Sequence, residues 1–167
     1  MTDRPVWTAD EALEQLYAAH WRRLVRLSVL LVHDQGLAEE IVQDAFVAVH
    51  GRWGRLRDPE HALAYLRQAV VNRSRSALRH RGVVDRHAAN LRVADSPDPT
   101  PAADQRSAVL DALRALPQRQ REVLALRYYL DLSESEIADT LGISRGAVKS
   151  HASRGAAALR SLLQEDL

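Results

Sequence analysis

The stretch 132–160, LSESEIADTLGISRGAVKSHASRGAAALR, constrains the fold more than any other part of the chain. Ser133-Glu134-Ser135-Glu136 spells a capping box: the Ser133 hydroxyl takes the Glu136 amide, and the Glu136 carboxylate returns to the Ser133 amide. The helix it starts carries Ile137, Ala138 and Leu141 on one face. Gly142 ends that helix, because glycine enters the left-handed backbone region without strain. Ile143 then turns inward and Ser144 caps a second helix, with Val148 inside and Arg145, Lys149, Ser150 and Arg154 outside. A small residue, a glycine four positions later and a valine ten positions later form the spacing of a helix-turn-helix, whose second helix reads a DNA major groove. Charge agrees with that reading. Asp131, Glu134, Glu136 and Asp139 gather around the first helix, whereas every charge from Thr140 to Arg160 is positive. An ordinary helical hairpin has no reason to divide its charge so.

A chain of 167 residues can make one average domain or two small helical ones. With 46% apolar and 27% charged residues it is globular, and with few aromatics its core must be mostly Leu, Val and Ala. The net charge of +1 hides strong segregation by segment. Only one of the 23 basic residues is lysine, so the choice of arginine over lysine carries no recognition signal here. The absence of cysteine excludes a disulfide framework and a thiolate metal site. Charges interrupt the N-terminus before any signal-peptide core forms, and the longest apolar run, 28–32, is too short for a bilayer. A cytoplasmic protein without membrane insertion is expected.

Further along the chain, helical periodicity dominates, which predicts an all-α fold. Residues 9–32 carry Leu13, Leu16, Tyr17, His20, Leu24, Leu27 and Leu31 as an inward stripe, and 33–36 break the helix. A second helix over 37–53 turns Leu37, Ile41, Val42, Ala45, Phe46 and Val49 inward and Glu39, Glu40, Gln43 and Asp44 outward. Residues 51–57, GRWGRLR, read as a basic, glycine-bounded loop. Asp58-Pro59 then starts a helix to about Arg81, with aspartate as cap and proline in the first turn. On it Gln68, Asn72, Arg75 and Arg79 share one outward face, and between Leu66 and Arg81 there are five arginines and no acid. Such a face suits phosphate contacts with one base-edge contact among them. Residues 82–104 lose the pattern, and SPDPTP favours an extended spacer. The expected architecture is therefore two small helical domains, 9–81 and 105–165, joined by a flexible proline-containing linker over 82–104. In the second domain Val109, Leu110, Leu113 and Leu116 line one helix. Pro117 starts the next, with Val123, Leu126 and Leu130 inward and Arg119, Arg121 and Arg127 outward.

Catalysis finds no foothold. The seven histidines are scattered, with no HExxH or Glu-x-x-His pairing, no phosphate loop and no GxSxG elbow. No enzyme activity, small-molecule substrate, cofactor or metal is expected.

Taken in order, AEEIVQDAFVAVHGRW, DPEHALAYLRQAVVNRSRSALRHR and LPQRQREVLALRYYLDLSESEIADTLGISRGAVKSHASRG resemble the extracytoplasmic-function group of bacterial RNA polymerase sigma factors. The resemblance spans roughly 13–163 and implies that the chain binds core RNA polymerase and directs initiation at promoter DNA. By resemblance, 38–53 is the polymerase-binding segment, with Glu40, Gln43, Asp44 and Phe46 at its centre. The loop from Trp53 to His61 captures a base flipped from the −10 element, and Asn72, Arg75 and Arg79 receive the −10 strand. Pro117 to Glu122, Arg119 among them, resembles the phosphate-gripping approach to the −35 element, and Arg145, Lys149, Ser150 and Arg154 match its major-groove positions. The resemblance also implies an anti-sigma partner. The chain departs from the family at His151, where arginine is usual, and at Ser76, where an acid is common. One alternative is a stand-alone LuxR-like helix-turn-helix regulator, which leaves the Asn72–Arg79 stripe and the Gln43–Asp44 helix unexplained. The other is a sigma-like adaptor without promoter activity.

Overall fold

The computed structural model describes residues 7–56, 58–88 and 101–165, with side chains outside 83–104. All regular structure among them is helical: α1 (Ala9–Val32), α2 (Gln35–Leu56), α3 (Pro59–Ala88), α4 (Pro101–Ala115), α5 (Gln118–Leu124), α6 (Glu134–Leu141) and α7 (Arg145–Glu165). A single π-helical turn, Ala125–Tyr129, continues α5.

Local chemistry sets the ends of the first three helices. Thr8 and Glu11 form a capping box on α1, with Glu11 N donating to Thr8 Oγ1 at 3.2 Å and Thr8 N to Glu11 Oε2 at 3.0 Å. The helix stops at His33, which takes a left-handed conformation (φ 58°) and returns its amide to Val29 O. Asp34 accepts the Leu37 amide at 3.0 Å, so α2 begins two residues before the first apolar position. Asp58 accepts the Glu60 amide at 2.8 Å as the cap of α3.

These three helices pack on one another around Leu24, Leu27, Val42, Leu66 and Val70, each fully enclosed. Ser28 and Ser74 meet at 3.0 Å in the α1–α3 contact, each buried and each satisfying the other. The second unit is built on α7, which packs against α4, α5 and α6. Gly155 sits where α5 crosses it: a Cβ there would lie 3.1 Å from Leu124 Cδ1 and 3.2 Å from Gln120 Cβ.

One expectation needs correction. Residues 51–56 are not a loop, because α2 continues to Leu56. Burial is the reason: Trp53 packs in the core and its indole N–H donates to Trp7 O at 3.1 Å, which favours completing the helix under it. Around the expected linker, α3 runs to Ala88 and α4 starts at Pro101. Residues 89–100, which hold most of SPDPTP, lie outside the described part.

The two units also touch directly. The first helix packs against the π turn and α4, and α3 against α6, so one apolar core runs from Leu24 and Leu66 through Val123 and Leu126 to Ile137 and Val148.

Candidate nucleic-acid and polymerase interface

The helix-turn-helix forms as its residues dictate. Ser133 Oγ accepts the Glu136 amide at 3.1 Å and Glu136 Oε1 accepts the Ser133 amide at 3.2 Å. Gly142 has φ 65°, and both its amide and that of Ile143 return to Ala138 O. No atom lies within 4 Å of a Cβ built on Gly142, so backbone conformation alone calls for glycine there. Ser144 Oγ caps α7 by accepting the Ala147 amide at 3.1 Å. Ile137 and Val148 are completely buried where the two helices meet, and Ala138 and Ala152 allow the close approach.

That scaffold leaves Arg145, Lys149, Ser150 and Arg154 exposed along one side of α7. The Lys149 side chain is 68% exposed, its Nζ 3.8 Å from Glu134. At this spacing the acid orients the lysine without neutralising it. His151 is half-buried, with Nδ1 enclosed and unpartnered, so that edge of the ring faces the protein.

The approach to this helix differs from the sequence expectation at Arg121. Its guanidinium is buried and donates to Leu113 O (2.8 Å), Arg114 O (2.8 Å) and Leu116 O (2.9 Å), carbonyls at and just beyond the end of α4. It also reaches Leu31 O of α1 at 3.4 Å. Arg121 is a cap for α4, buried away from the surface that would meet phosphate. Desolvation, and then the neighbouring Arg114, lowers its pKa, while Glu122 opposes the shift. Arg119 remains half-exposed, 3.4 Å from Glu122.

In the first unit Gln68, Asn72 and Arg79 are exposed on α3, as their spacing requires. Arg75 is turned away: Nε and Nη2 make a bidentate pair with Glu122 at 3.1, 3.0 and 2.8 Å. Glu122, at the end of the stretch expected to grip phosphate, is instead buried against Arg75. It lies four residues before the inward Leu126, so the period that buried Leu126 also placed an acid on the inner face. Trp53 is buried with its N–H engaged, so it offers no donor to a flipped base.

On α2, Glu39, Glu40, Gln43 and Asp44 form an exposed acidic face, with Gln35 Nε2 donating to Glu39 Oε1 at 3.0 Å. Phe46 is buried under Tyr17 and Trp21, at ring-centroid separations of 5.4 and 6.1 Å. It shapes this surface from beneath. The apolar groups that reach solvent here are Val47 (63% exposed) and Tyr17 (46%), the latter expected inward. Val47 follows Gln43 by four and Asp44 by three, an apolar residue on a polar face, which is the signal that could have found it.

Among the described residues no helix is long and apolar enough to cross a membrane.

Residues 16–83 match the family model of Sigma-70 region 2, and residues 106–159 that of Sigma-70, region 4. The RNA polymerase sigma-E factor of Streptomyces avermitilis is 35% identical over 141 residues, 84% of this chain and 79% of its own. The ECF RNA polymerase sigma factor SigL of Mycobacterium tuberculosis is 33% identical over 167 residues, covering 94% of this chain and 92% of its own. Among solved structures, CnrH in complex with the cytosolic domain of CnrY is similar, with a TM-score of 0.73 and 25% identity. That match covers 96% of this chain and 97% of CnrH. The chain belongs to the sigma-70 family of RNA polymerase sigma factors, in its extracytoplasmic-function group.

Proposed function

We propose that this sigma factor divides its work among three faces. The acidic face of α2, with Glu40, Gln43, Asp44 and the exposed Val47, docks on a basic element of core RNA polymerase through complementary charge. The α3 stripe of Asn72, Arg75 and Arg79 receives the single-stranded −10 element, where phosphate and base contacts offset the few kcal/mol that base flipping costs. The exposed side of α7, with Arg145, Lys149, Ser150 and Arg154, enters the −35 major groove, and Arg119 approaches the adjoining phosphates.

The observation that carries this reading is that one chain presents two exposed basic helical faces beside one exposed acidic face. A free-standing operator-binding regulator needs only the α7 face. The protein acts in the cytoplasm, by binding and without chemistry of its own. An anti-sigma protein holds it inactive; support comes from the similar CnrH, solved with the cytosolic domain of a second protein.

The test is run-off transcription with core polymerase and a genomic promoter pool, alongside pull-down of core. The unmodified protein should bind core and direct discrete start sites. Lys149→Ala should lose −35 discrimination worth about 1–3 kcal/mol and keep core binding. Asp44→Ala should lose core binding and keep duplex binding. Absence of core binding by the unmodified protein, or identical losses in both variants, would refute the assignment.

A further inference from the structure

Two helices far apart in sequence bring the same short pattern to one groove. Arg26-Leu27-Ser28-Val29-Leu30 of α1 and Arg106-Ser107-Ala108-Val109-Leu110 of α4 both read Arg-x-x-Val-Leu. Helical spacing puts a residue and those three and four positions later on one side, so each helix presents an arginine one turn before a valine and a leucine. The two sides meet where α1 packs against α4, and these arginines, valines and leucines line a groove of about 710 Å³. Tyr129 adds an aromatic wall, and two glutamines complete the rim. Leu30 packs against Leu113, Leu116 and Leu124 behind the groove, whereas Val109 stays 40% exposed within it. Among the described residues no acid lines the groove, and neither arginine is held in an ion pair. With 22 acidic against 23 basic residues, composition alone does not produce such a surface.

We infer that this groove is a binding site for an amphipathic organic anion, a straight-chain acyl carboxylate. An arginine takes the carboxylate, and the hydrocarbon chain lies along the valines and leucines. Sites that take small organic ligands are concave, mostly apolar and about 300–1,000 Å³ in volume, with a few polar groups to fix orientation. A guanidinium holds a carboxylate through two parallel N–H donors and keeps its charge at any physiological pH. Aliphatic walls offer no partners to the polar edges of a nucleobase or a sugar, and burying such groups unpaired is costly. A hydrocarbon chain makes no such demand and gains free energy by leaving water. None of the lining residues is among those assigned to polymerase, the −10 strand or the −35 groove, so this site is separate from all three faces.

The probe is dodecanoate, titrated calorimetrically into the full-length protein below its micelle-forming concentration. It should bind saturably, one molecule per chain, and raise the melting temperature as its concentration rises, as any ligand of the native state does. Dodecyltrimethylammonium, with the same chain and the opposite charge, should bind at least about tenfold more weakly. The double variant Arg26→Gln with Arg106→Gln should lose at least about tenfold in affinity for dodecanoate, the low end for a hydrogen bond to a charged group. Val109→Asp, at an exposed wall position, should weaken dodecanoate as much by setting a like charge beside it. Absence of saturable binding, or equal affinity for the anionic and cationic chains, would overturn the site. So would an unchanged affinity in either variant while its circular dichroism is that of the unmodified protein. The competing occupant is an amphipathic helical peptide with glutamates flanking a leucine stripe. If that peptide binds, is weakened by both variants and is not displaced by dodecanoate, the groove is a protein-docking surface and the ligand assignment falls.

Discussion

Replacing Arg121 separates two roles that its sequence context made look alike. As a phosphate grip it would be exposed, and Arg121→Lys would keep most of its charge-based function. In the structure it closes the end of α4 through three carbonyl bonds of 2.8–2.9 Å, with a fourth contact to α1 at 3.4 Å. Hydrogen bonds from a charged donor are worth about 1.5–3 kcal/mol each. Desolvating the guanidinium takes back part of that sum. The net loss expected for Arg121→Ala is about 3–5 kcal/mol, the range for removing one side of a buried charged contact. Lysine should do little better, because one ammonium cannot span carbonyls that the planar fork reaches together. For a small domain each kcal/mol moves the melting temperature by roughly 4–8 °C. Both variants should therefore melt at least about 12 °C lower by circular dichroism, with the urea midpoint falling in parallel. A near-normal melting temperature for both variants, with DNA binding weakened and less salt-dependent in Arg121→Ala but kept in Arg121→Lys, would refute the capping argument.

Gly155 should tolerate growth poorly for reasons of space. Alanine there gains about 1 kcal/mol of helix propensity but crowds Leu124 and Gln120, so its effect should be small, whereas Gly155→Val should cost about 1–3 kcal/mol more than alanine in urea unfolding. Stability should also fall on acidification. The His33 pKa is lowered by burial first and then by Arg114 and Arg121, against a smaller opposing pull from Asp111; that of His20 is lowered by burial, then Arg23 and Arg67. A histidine whose pKa is depressed in the fold binds its proton more readily when unfolded. Stability should therefore be fully present above about pH 6.5, the ordinary histidine value, and decline as pH falls below it. His33→Gln combined with His20→Gln should flatten that decline in melting curves from pH 7.5 to 5.5; an unchanged slope would contradict it.

Sequence legibility followed the range of the forces involved. The caps at Ser133, Ser144 and Asp58 and the stop at Gly142 were readable because each joins groups two to four residues apart. The outward faces of α3 and α7 were readable because 3.6-residue periodicity is itself local. Trp53 misled because glycines flank it. Their weak helix propensity was outweighed by burial of the indole against a segment 46 residues earlier. Arg121 and Glu122 misled because they lie in a run of exposed-looking polar residues, QRQRE, where composition argues for solvent. Their partners, Leu31 and Arg75, are 90 and 47 residues away.

By itself, then, the sequence determined that the chain is helical, where most helices start and stop, and which side of α7 can meet DNA. These are properties of neighbouring residues and the backbone between them. Only the tertiary structure decided what the charges in between are for. A buried guanidinium or carboxylate must have its partners supplied from wherever the chain brings them, because leaving one unpaired away from water costs several kcal/mol. The acids beside the helix-turn-helix looked in sequence like mere contrast to a basic reading helix. In the folded protein Glu122 and Glu136 face the arginines of α3.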